Sequence, residues 1–194
     1  MAAIASHAPE RILTNADLER MVDTTDEWIV TRTGIRERRI AADHEAASDL
    51  GSVAARRALE RANLSPSDLD LIVVASVTPD MPFPATASII QHALGADRAA
   101  AFDLSAGCTG FIYAVSMASA TIASGAYNNV LVIGVDLLSK ITNWSDRSTC
   151  VLFGDGAGAA VLGVGNEQSR ILAFELGSVG EGADLLRIPA GGSR

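Results

Sequence analysis

The feature that most constrains the fold is a long stretch without charge, because no Asp, Glu, Lys or Arg occurs from Leu104 to Val135. A stretch of this length could span a bilayer. It is rich in Ser, Gly and Ala, however, and residues 124–129 (SGAYNN) are typical of a helix end followed by a turn. We therefore predict a buried helix and a buried strand on either side of this turn, at the centre of a large soluble core.

The amino-acid composition argues against several classes of protein function. The chain has 194 residues, of which 48% are hydrophobic and 20% are charged, and this balance is typical of a globular protein of one or two domains. Its net charge of −8 argues against non-specific binding to nucleic acid or to anionic membranes. Two cysteines and three histidines without ligand-like spacing predict neither a metal site nor a disulfide scaffold. With no signal peptide recognised, we expect a cytoplasmic protein.

Helical and strand-like patterns alternate along the chain. Helices are predicted over residues 15–22, 26–33, 48–63, 85–94 and 108–124, and strands over 69–77, 99–104 and 130–135 after a short first strand. Asn15, Asp26 and Ser48 are the predicted N-caps. The alternation predicts a mostly parallel sheet covered by helices. Two later strands, 158–164 and 171–177, joined by a turn at 165–167, predict an antiparallel edge.

Cys108 stands where a strand-like segment gives way to a long helical pattern. Backbone N–H groups and the helix dipole at such a position favour a thiolate, which is the reactive form of cysteine. The alternative is a small buried apolar side chain. Position alone does not separate the two interpretations.

Trp28 lies four residues before Arg32, so an indole and a guanidinium can lie side by side on one helix face. Such a pair can stack on a nucleotide and bind it. On spacing alone we favour the other interpretation, a half-buried Trp with Arg stems packed around it. Arg36, Arg38 and Arg39 are predicted to be solvated surface charges.

Residues 154–158 (GDGAG) look like a phosphate-binding loop, but a strand-like segment follows them where that motif needs a helix. We predict instead tight turns and close backbone approach beside a packed element. For Arg147 the simplest interpretation is a local salt bridge with Asp146. Cys150, in an apolar segment, is predicted to be a structural thiol.

Four segments in order, VDTTDEWIVTRTGIRERRI, LIVVASVTPDMPFPATA, AFDLSAGCTGFIYAV and DRSTCVLFGDGAGAAVL, resemble the β-ketoacyl-acyl-carrier-protein synthase III enzymes of the thiolase superfamily. The resemblance implies an α/β, thiolase-like fold of five layers (αβαβα). Residues 1–194 would form its N-terminal half, one αβα unit with a mixed, mostly parallel five-stranded sheet. The C-terminal half would be absent.

The resemblance also implies roles for individual residues. Cys108 matches the nucleophile that takes an acyl group from acyl-CoA, and Phe83 matches a side chain at the dimer interface that reaches toward the partner's acyl pocket. The residues that match the coenzyme A contacts are Trp28 and Arg147, which sandwich the adenine, and Arg32 and Thr24, near the nucleotide end. Coenzyme A would enter as the thioester substrate, and no further cofactor is implied.

The family also uses a histidine and an asparagine of its C-terminal half to condense the acyl group with malonyl-acyl-carrier-protein, and the three histidines here do not match that position. We therefore expect the chain alone to be inactive in condensation and poorly stable, and the complete protein to be a homodimer. Two alternatives stay open. One is a related condensing enzyme or acyltransferase of secondary metabolism, and the other is a non-catalytic half-domain that binds CoA or a partner chain.

Overall fold

The computed structural model describes residues 1–166, 170–189 and 191–192. Its strands are β1 (Ala3–His7), β2 (Arg11–Thr14), β3 (Glu37–Ile40), β4 (Leu71–Ala75), β5 (Ala100–Leu104), β6 (Asn129–Leu137) and β7 (Asp155–Gly163). Its α-helices are α1 (Asn15–Glu19), α2 (Asp26–Thr33), α3 (Ala47–Ala62), α4 (Thr86–Leu94), α5 (Gly110–Ala123) and α6 (Arg147–Cys150). Among the described residues, no helix is long and apolar enough to cross a membrane.

A five-stranded sheet with the order β1-β7-β6-β4-β5 forms the centre of the fold. Strand β4 pairs in parallel with both β5 and β6, whereas β7 pairs antiparallel with β6 and β1. All five residues of β4 are buried, as expected for a strand covered on both faces. The predicted mixed sheet with a parallel centre is therefore confirmed.

The antiparallel direction of β7 was predicted correctly, but its position at the edge was wrong. β7 lies between β1 and β6, and β1 forms that edge of the sheet. Because both sides of β7 are paired, it offers no free edge to residues 171–177, which form no strand. The last residue of that segment contacts α5, where the Tyr113 hydroxyl donates to the Gly177 carbonyl at 2.8 Å. Glu167, in the predicted turn, is outside the described residues.

The two faces of the sheet are covered unequally. Helices α3 and α4 cover one face with a large apolar cluster, and they pack so closely that a Cβ on Gly51 would lie 2.7 Å from Cδ1 of Ile90. Helix α5 covers the other face with a smaller cluster. The outer side of α5 stays open, with Ile112 51% and Met117 49% exposed. The helix in the uncharged stretch is thus buried on its inner side only.

The N-caps of α1, α2 and α3 differ from the predicted ones. Thr14 caps α1 and Thr25 caps α2, because their side chains accept from backbone N–H groups one turn ahead, so Asn15 and Asp26 are the first helical residues instead. Ser48 lies inside the first turn of α3, where it donates to the Asp80 carboxylate.

A second, two-stranded sheet, β2–β3, packs with α1, α2 and α6 at one side of the molecule. Their shared apolar cluster consists of the buried residues Leu13, Leu18, Ile29, Ile40, Cys150 and Val151. This cluster places α2, which carries Trp28, beside α6, which carries Arg147.

Candidate active site

Cys108 is exposed, in a single 3₁₀ turn (Gly107–Thr109) that leads directly into α5. Gly107 has φ +57°, which lets the chain reverse after β5. Gly110 lets the head of α5 approach β4, since a Cβ there would lie 3.2 Å from Cβ of Ala75. The predicted position at the helix start is confirmed, and the alternative of a buried thiol is wrong for Cys108.

The start of α5 suits an anion. In the described structure, no side chain caps its first turn, because the hydroxyl of its N-cap residue, Thr109, donates to the Ala106 carbonyl at 2.9 Å. The preceding 3₁₀ turn accepts the N–H of Gly110 at the Gly107 carbonyl, and the helix dipole adds positive potential at this end of α5. Negative charge that develops near Cys108 is therefore stabilised.

A cavity of about 230 Å³ adjoins the thiol and is lined by Ala75, Gly107, Cys108, Phe111, Gly134, Val135, Asp136, Gly154 and Gly156. Among these described residues there is neither a histidine nor an asparagine. Gly134 makes room for Phe111, because a Cβ at that position would lie 3.1 Å from the ring. The cavity is thus shaped by small residues on β6 and β7 beneath the head of α5.

Asp136 is a cavity residue that the sequence reasoning missed. Its Oδ1 accepts from the hydroxyls of Ser76 and Thr78, both at 3.1 Å, and from the backbone N–H of Val77 at 2.8 Å. It thereby fixes the loop after β4 against β6. The available signal was its place as the first charged residue after the uncharged stretch.

Trp28, Arg32 and Arg147 form what we call the nucleotide cluster. The guanidinium carbon of Arg32 lies 4.4 Å from the centroid of the Trp28 ring, and that of Arg147 lies 4.8 Å from it. Arg147 also donates to the Asp23 carbonyl at 2.8 Å. Both guanidinium groups are exposed and Trp28 is half-buried. The predicted side-by-side placement of Trp28 and Arg32 is confirmed, and Arg147 joins it from α6.

The local salt bridge suggested for Arg147 is wrong. Asp146 instead caps α6, accepting from the N–H and hydroxyl of Ser148 and from the hydroxyl of Thr149. These hydrogen bonds, the one from the Ser148 hydroxyl first, hold the pKa of Asp146 below its usual value. Arg147 is consequently free to lie over Trp28.

Thr24 and Phe83 lie apart from the cavity at Cys108. The Thr24 hydroxyl is buried and has no hydrogen-bond partner within the described structure. It lies next in the chain to Asp23, whose carbonyl holds Arg147. Phe83 is 87% exposed in the loop before α4 and is not a cavity residue.

Arg38 was predicted to be a solvated surface charge, and this is wrong. Its side chain is buried and hydrogen-bonds to Val151, which is 113 residues away. Desolvation lowers the pKa of the guanidinium from its usual value. Arg36 is exposed as predicted, whereas Arg39 is half-buried and donates to the Pro9 carbonyl at 3.3 Å.

Cys150 and Gly154 both lie in closely packed surroundings. Cys150 is fully buried, and burial, followed by the charge of Asp146, raises the pKa of its thiol. Gly154 packs closely, since a Cβ there would lie 3.1 Å from both Cβ of Arg38 and the Arg39 carbonyl oxygen. No cluster of three His, Cys, Asp or Glu side chains suited to a metal ion occurs in the part of the chain that the structure describes.

A mixed sheet between helical layers, with an exposed cysteine at the head of a central helix, is the arrangement of a thiolase-like fold, and solved structures confirm it. The β-ketoacyl-acyl-carrier-protein synthase III of Thermus thermophilus superposes with a TM-score of 0.94 and 47% identity, over 99% of this chain and 60% of that one. The priming β-ketosynthase of the R1128 polyketide biosynthetic pathway superposes with a TM-score of 0.82 and 44% identity, over 84% of this chain and 48% of that one.

Over nearly its whole length the chain is similar to β-ketoacyl-[acyl-carrier-protein] synthase III enzymes. The family model for 3-oxoacyl-[acyl-carrier-protein] synthase III matches residues 102–180. The β-ketoacyl-[acyl-carrier-protein] synthase III of Caldanaerobacter subterraneus subsp. tengcongensis is 62% identical over 189 residues, which cover 97% of this chain and 57% of that protein. The chain therefore spans little more than half the length of this relative.

Proposed function

We propose that this chain carries the acyl-accepting cysteine and the CoA-binding residues of an enzyme that starts type II fatty-acid synthesis. The complete enzyme condenses acyl-CoA, with acetyl-CoA as the expected primer, with malonyl-acyl-carrier-protein. The observation that carries the proposal is the exposed Cys108 at the head of α5, beside a cavity. The sequence similarity supports it, since the relatives carry the name of this enzyme.

The first step is acyl transfer to Cys108. The thiolate attacks the thioester carbonyl carbon, a new C–S bond forms, and the bond to the sulfur of CoA breaks. CoA leaves as a thiolate and takes up a proton from solvent. The positive end of the α5 dipole stabilises the negative charge that develops on the thioester oxygen during the attack.

The nucleotide cluster is proposed to bind the adenine end of CoA. A base stacked on the Trp28 indole would lie with its centroid about 4.5 Å or more from that ring. The Arg147 guanidinium now occupies this position, at 4.8 Å. Adenine can therefore stack on Trp28 only if Arg147 moves outward, and the base then lies between the indole and the guanidinium. Arg32 and the unpartnered hydroxyl of Thr24 are then available to the phosphate and ribose groups.

Condensation is proposed to need residues outside these 194. The histidine and asparagine that the family uses would lie in the C-terminal half, which agrees with a chain that covers 57% of its relative. The complete protein is proposed to be a cytoplasmic homodimer in which Phe83 faces the partner subunit. It is expected to use no cofactor besides the CoA thioester substrate.

A single-turnover assay tests whether the chain carries out acyl transfer but not condensation. The chain, shown to be folded by circular dichroism, is mixed with acetyl-CoA and then with malonyl-acyl-carrier-protein. We expect release of one equivalent of CoA and no acetoacetyl-carrier-protein. Steady formation of the condensation product would overturn the proposal that residues outside the chain are needed. Failure of the folded chain to release CoA would overturn the proposed acyl transfer.

A related condensing enzyme of secondary metabolism is the second candidate. It is favoured by the 44% identity to the priming β-ketosynthase of a polyketide pathway. A panel of acyl-CoA primers separates the two candidates, because a fatty-acid enzyme is expected to favour acetyl-CoA or short branched primers. A non-catalytic binding half-domain would instead bind CoA in the same panel without any covalent adduct.

A further inference from the structure

The buried Arg38 connects the two helices that carry the nucleotide cluster. Its side chain is only 4% exposed, and its Nε and Nη2 both donate to the Val151 carbonyl, at 3.1 and 2.7 Å. Val151 is the residue at the end of α6, and Arg147 is the first residue of the same short helix. Arg38 thus holds α6 by its C-terminal end.

Asn15 extends this connection to α2. The third donor of Arg38, Nη1, reaches Oδ1 of Asn15 at 2.7 Å. The amide of Asn15, itself 1% exposed, donates to Oδ1 of Asp26 at 2.7 Å and to the Ile35 carbonyl at 2.9 Å. Asp26 is the first residue of α2, and Ile35 follows the end of that helix. One buried polar chain therefore runs from the end of α6 to both ends of the helix that carries Trp28.

Burial of the Arg38 cation is costly because the charged guanidinium loses its contact with water. Among the described residues no carboxylate lies within salt-bridge distance of Arg38. A buried charge without an ionic partner is tolerated only when hydrogen bonds satisfy its donors, and an apolar side chain of similar volume often stabilises a fold as well or better. Arg38 contributes directional hydrogen bonds that fix the positions of its partners, which an apolar side chain cannot do.

We propose that Arg38 is a positioning residue for CoA binding. Acting through Val151 and Asn15, it sets the separation of α6 from α2 and hence the placement of Arg147 over Trp28. This inference rests on the proposed function of the nucleotide cluster. It makes a buried arginine that touches no substrate a determinant of affinity for the adenine end of CoA. The Cβ of Arg38 lies beside the cavity residue Gly154, and Arg38→Met keeps that Cβ, so the thiol chemistry at Cys108 is expected to be unchanged.

The test compares two acyl donors. Acetyl-CoA carries the adenine nucleotide, whereas acetyl-pantetheine carries the same thioester without it. In Arg38→Met we expect the apparent affinity for acetyl-CoA to fall about tenfold or more, while acylation of Cys108 by acetyl-pantetheine stays within about twofold of the unaltered chain. A loss of both reactions in equal measure would show a merely structural role and overturn the inference.

A second variant and a matched control complete the design. Arg38→Lys keeps the charge but cannot donate to Val151 and Asn15 in the same forked geometry, so an intermediate loss with acetyl-CoA is expected. It also keeps the test decisive if Arg38→Met does not fold, because Arg38→Lys with full affinity for acetyl-CoA would overturn the inference. Arg39→Met, on the same strand but bonded to the Pro9 carbonyl, is expected to leave both donors unaffected.

A double-mutant cycle separates this inference from the proposed function. Trp28→Ala is expected to weaken acetyl-CoA binding strongly in the unaltered chain and only slightly in Arg38→Met, because both changes remove the same interaction. If Trp28→Ala has no effect in the unaltered chain, the proposed nucleotide site is wrong. If Trp28→Ala weakens binding and Arg38→Met does not, the nucleotide site stands and the positioning role of Arg38 is wrong.

Discussion

The nucleotide cluster and the cysteine site differ in how many of their surroundings are provided by the described residues of this chain. Trp28 and Arg147 are held in contact by α2 and α6, above a buried apolar cluster and a buried polar chain. Cys108, in contrast, lies exposed at the head of a helix whose outer side remains open at Ile112 and Met117. The difference supports the proposal that CoA binds to residues within this chain, whereas the cavity beside the thiol is bounded only in part by the residues described.

The largest expected difference is in the reactivity of the two thiols. Cys108 is exposed and Cys150 is fully buried with a raised pKa, so Cys150 reacts only when the structure opens. We expect iodoacetamide to alkylate Cys108 faster by a factor on the order of a thousand. Peptide mass spectrometry over time measures both rates. Equal rates in the folded chain would contradict the account, and equal rates in urea are the control.

Two isoleucines on helices compare the closed and open regions directly. Ile29 on α2 is fully buried beneath the nucleotide cluster, and Ile112 on α5 is 51% exposed. Ile29→Ala is expected to lower the free energy of unfolding by about 2–5 kcal/mol, and Ile112→Ala by about 0.5 kcal/mol or less. Urea denaturation measures both changes. A similar loss at both positions would show that the outer side of α5 is covered after all.

Within the nucleotide cluster, Arg147 is expected to contribute through its contact with Trp28 and with a bound base. Arg147→Ala should weaken CoA binding by about 1–2 kcal/mol, which corresponds to roughly 5- to 30-fold. Arg147→Lys should recover part of this loss, because an ammonium keeps the charge but lacks the planar face. Calorimetric titration with CoA provides the measurement. Full affinity in Arg147→Ala would remove this residue from the proposed site.

The smallest expected effect is a pH dependence at the start of α6. The pKa of Asp146 is lowered in the folded chain, so its stabilising contribution is present above the ordinary aspartate pKa of about 3.9 and is lost as the pH falls through the lowered value. The urea midpoint of the unaltered chain should exceed that of Asp146→Asn at pH 6, and the difference should shrink as the pH falls below the ordinary aspartate pKa. A difference that grows on acidification would contradict this assignment.

Local signals predicted the longer elements well, but not β2, β3 or α6. Helix α2 has the predicted bounds, although Thr25 rather than Asp26 is its N-cap, and it ends at Gly34 in a left-handed conformation. The buried strands β4 and β6 were visible as apolar, β-branched stretches, and Cys108 was placed correctly at a helix start. These features depend on neighbours in the sequence.

The missed features depend on contacts between distant residues. In the sequence alone, Arg38 cannot be distinguished from the neighbouring surface arginines. Its burial follows from the position of β3 beside Val151, which only the structure shows. Likewise, nothing local in β7 shows that β1 will pair along its outer side and exclude residues 171–177. The meeting of Arg147 with Trp28 was implied only by the family resemblance, since 119 positions separate them in the numbering and the structure sets their distance.

The proposed function requires that Cys108 of this chain accept an acyl group. Exposure of the folded chain to acetyl-CoA, followed by peptide mass mapping, measures this step. We expect a single acetyl group on Cys108, retained in Cys150→Ala and lost in Cys108→Ala. A folded chain that binds CoA but carries no acetyl group on Cys108 would exclude acyl transfer and identify a binding module.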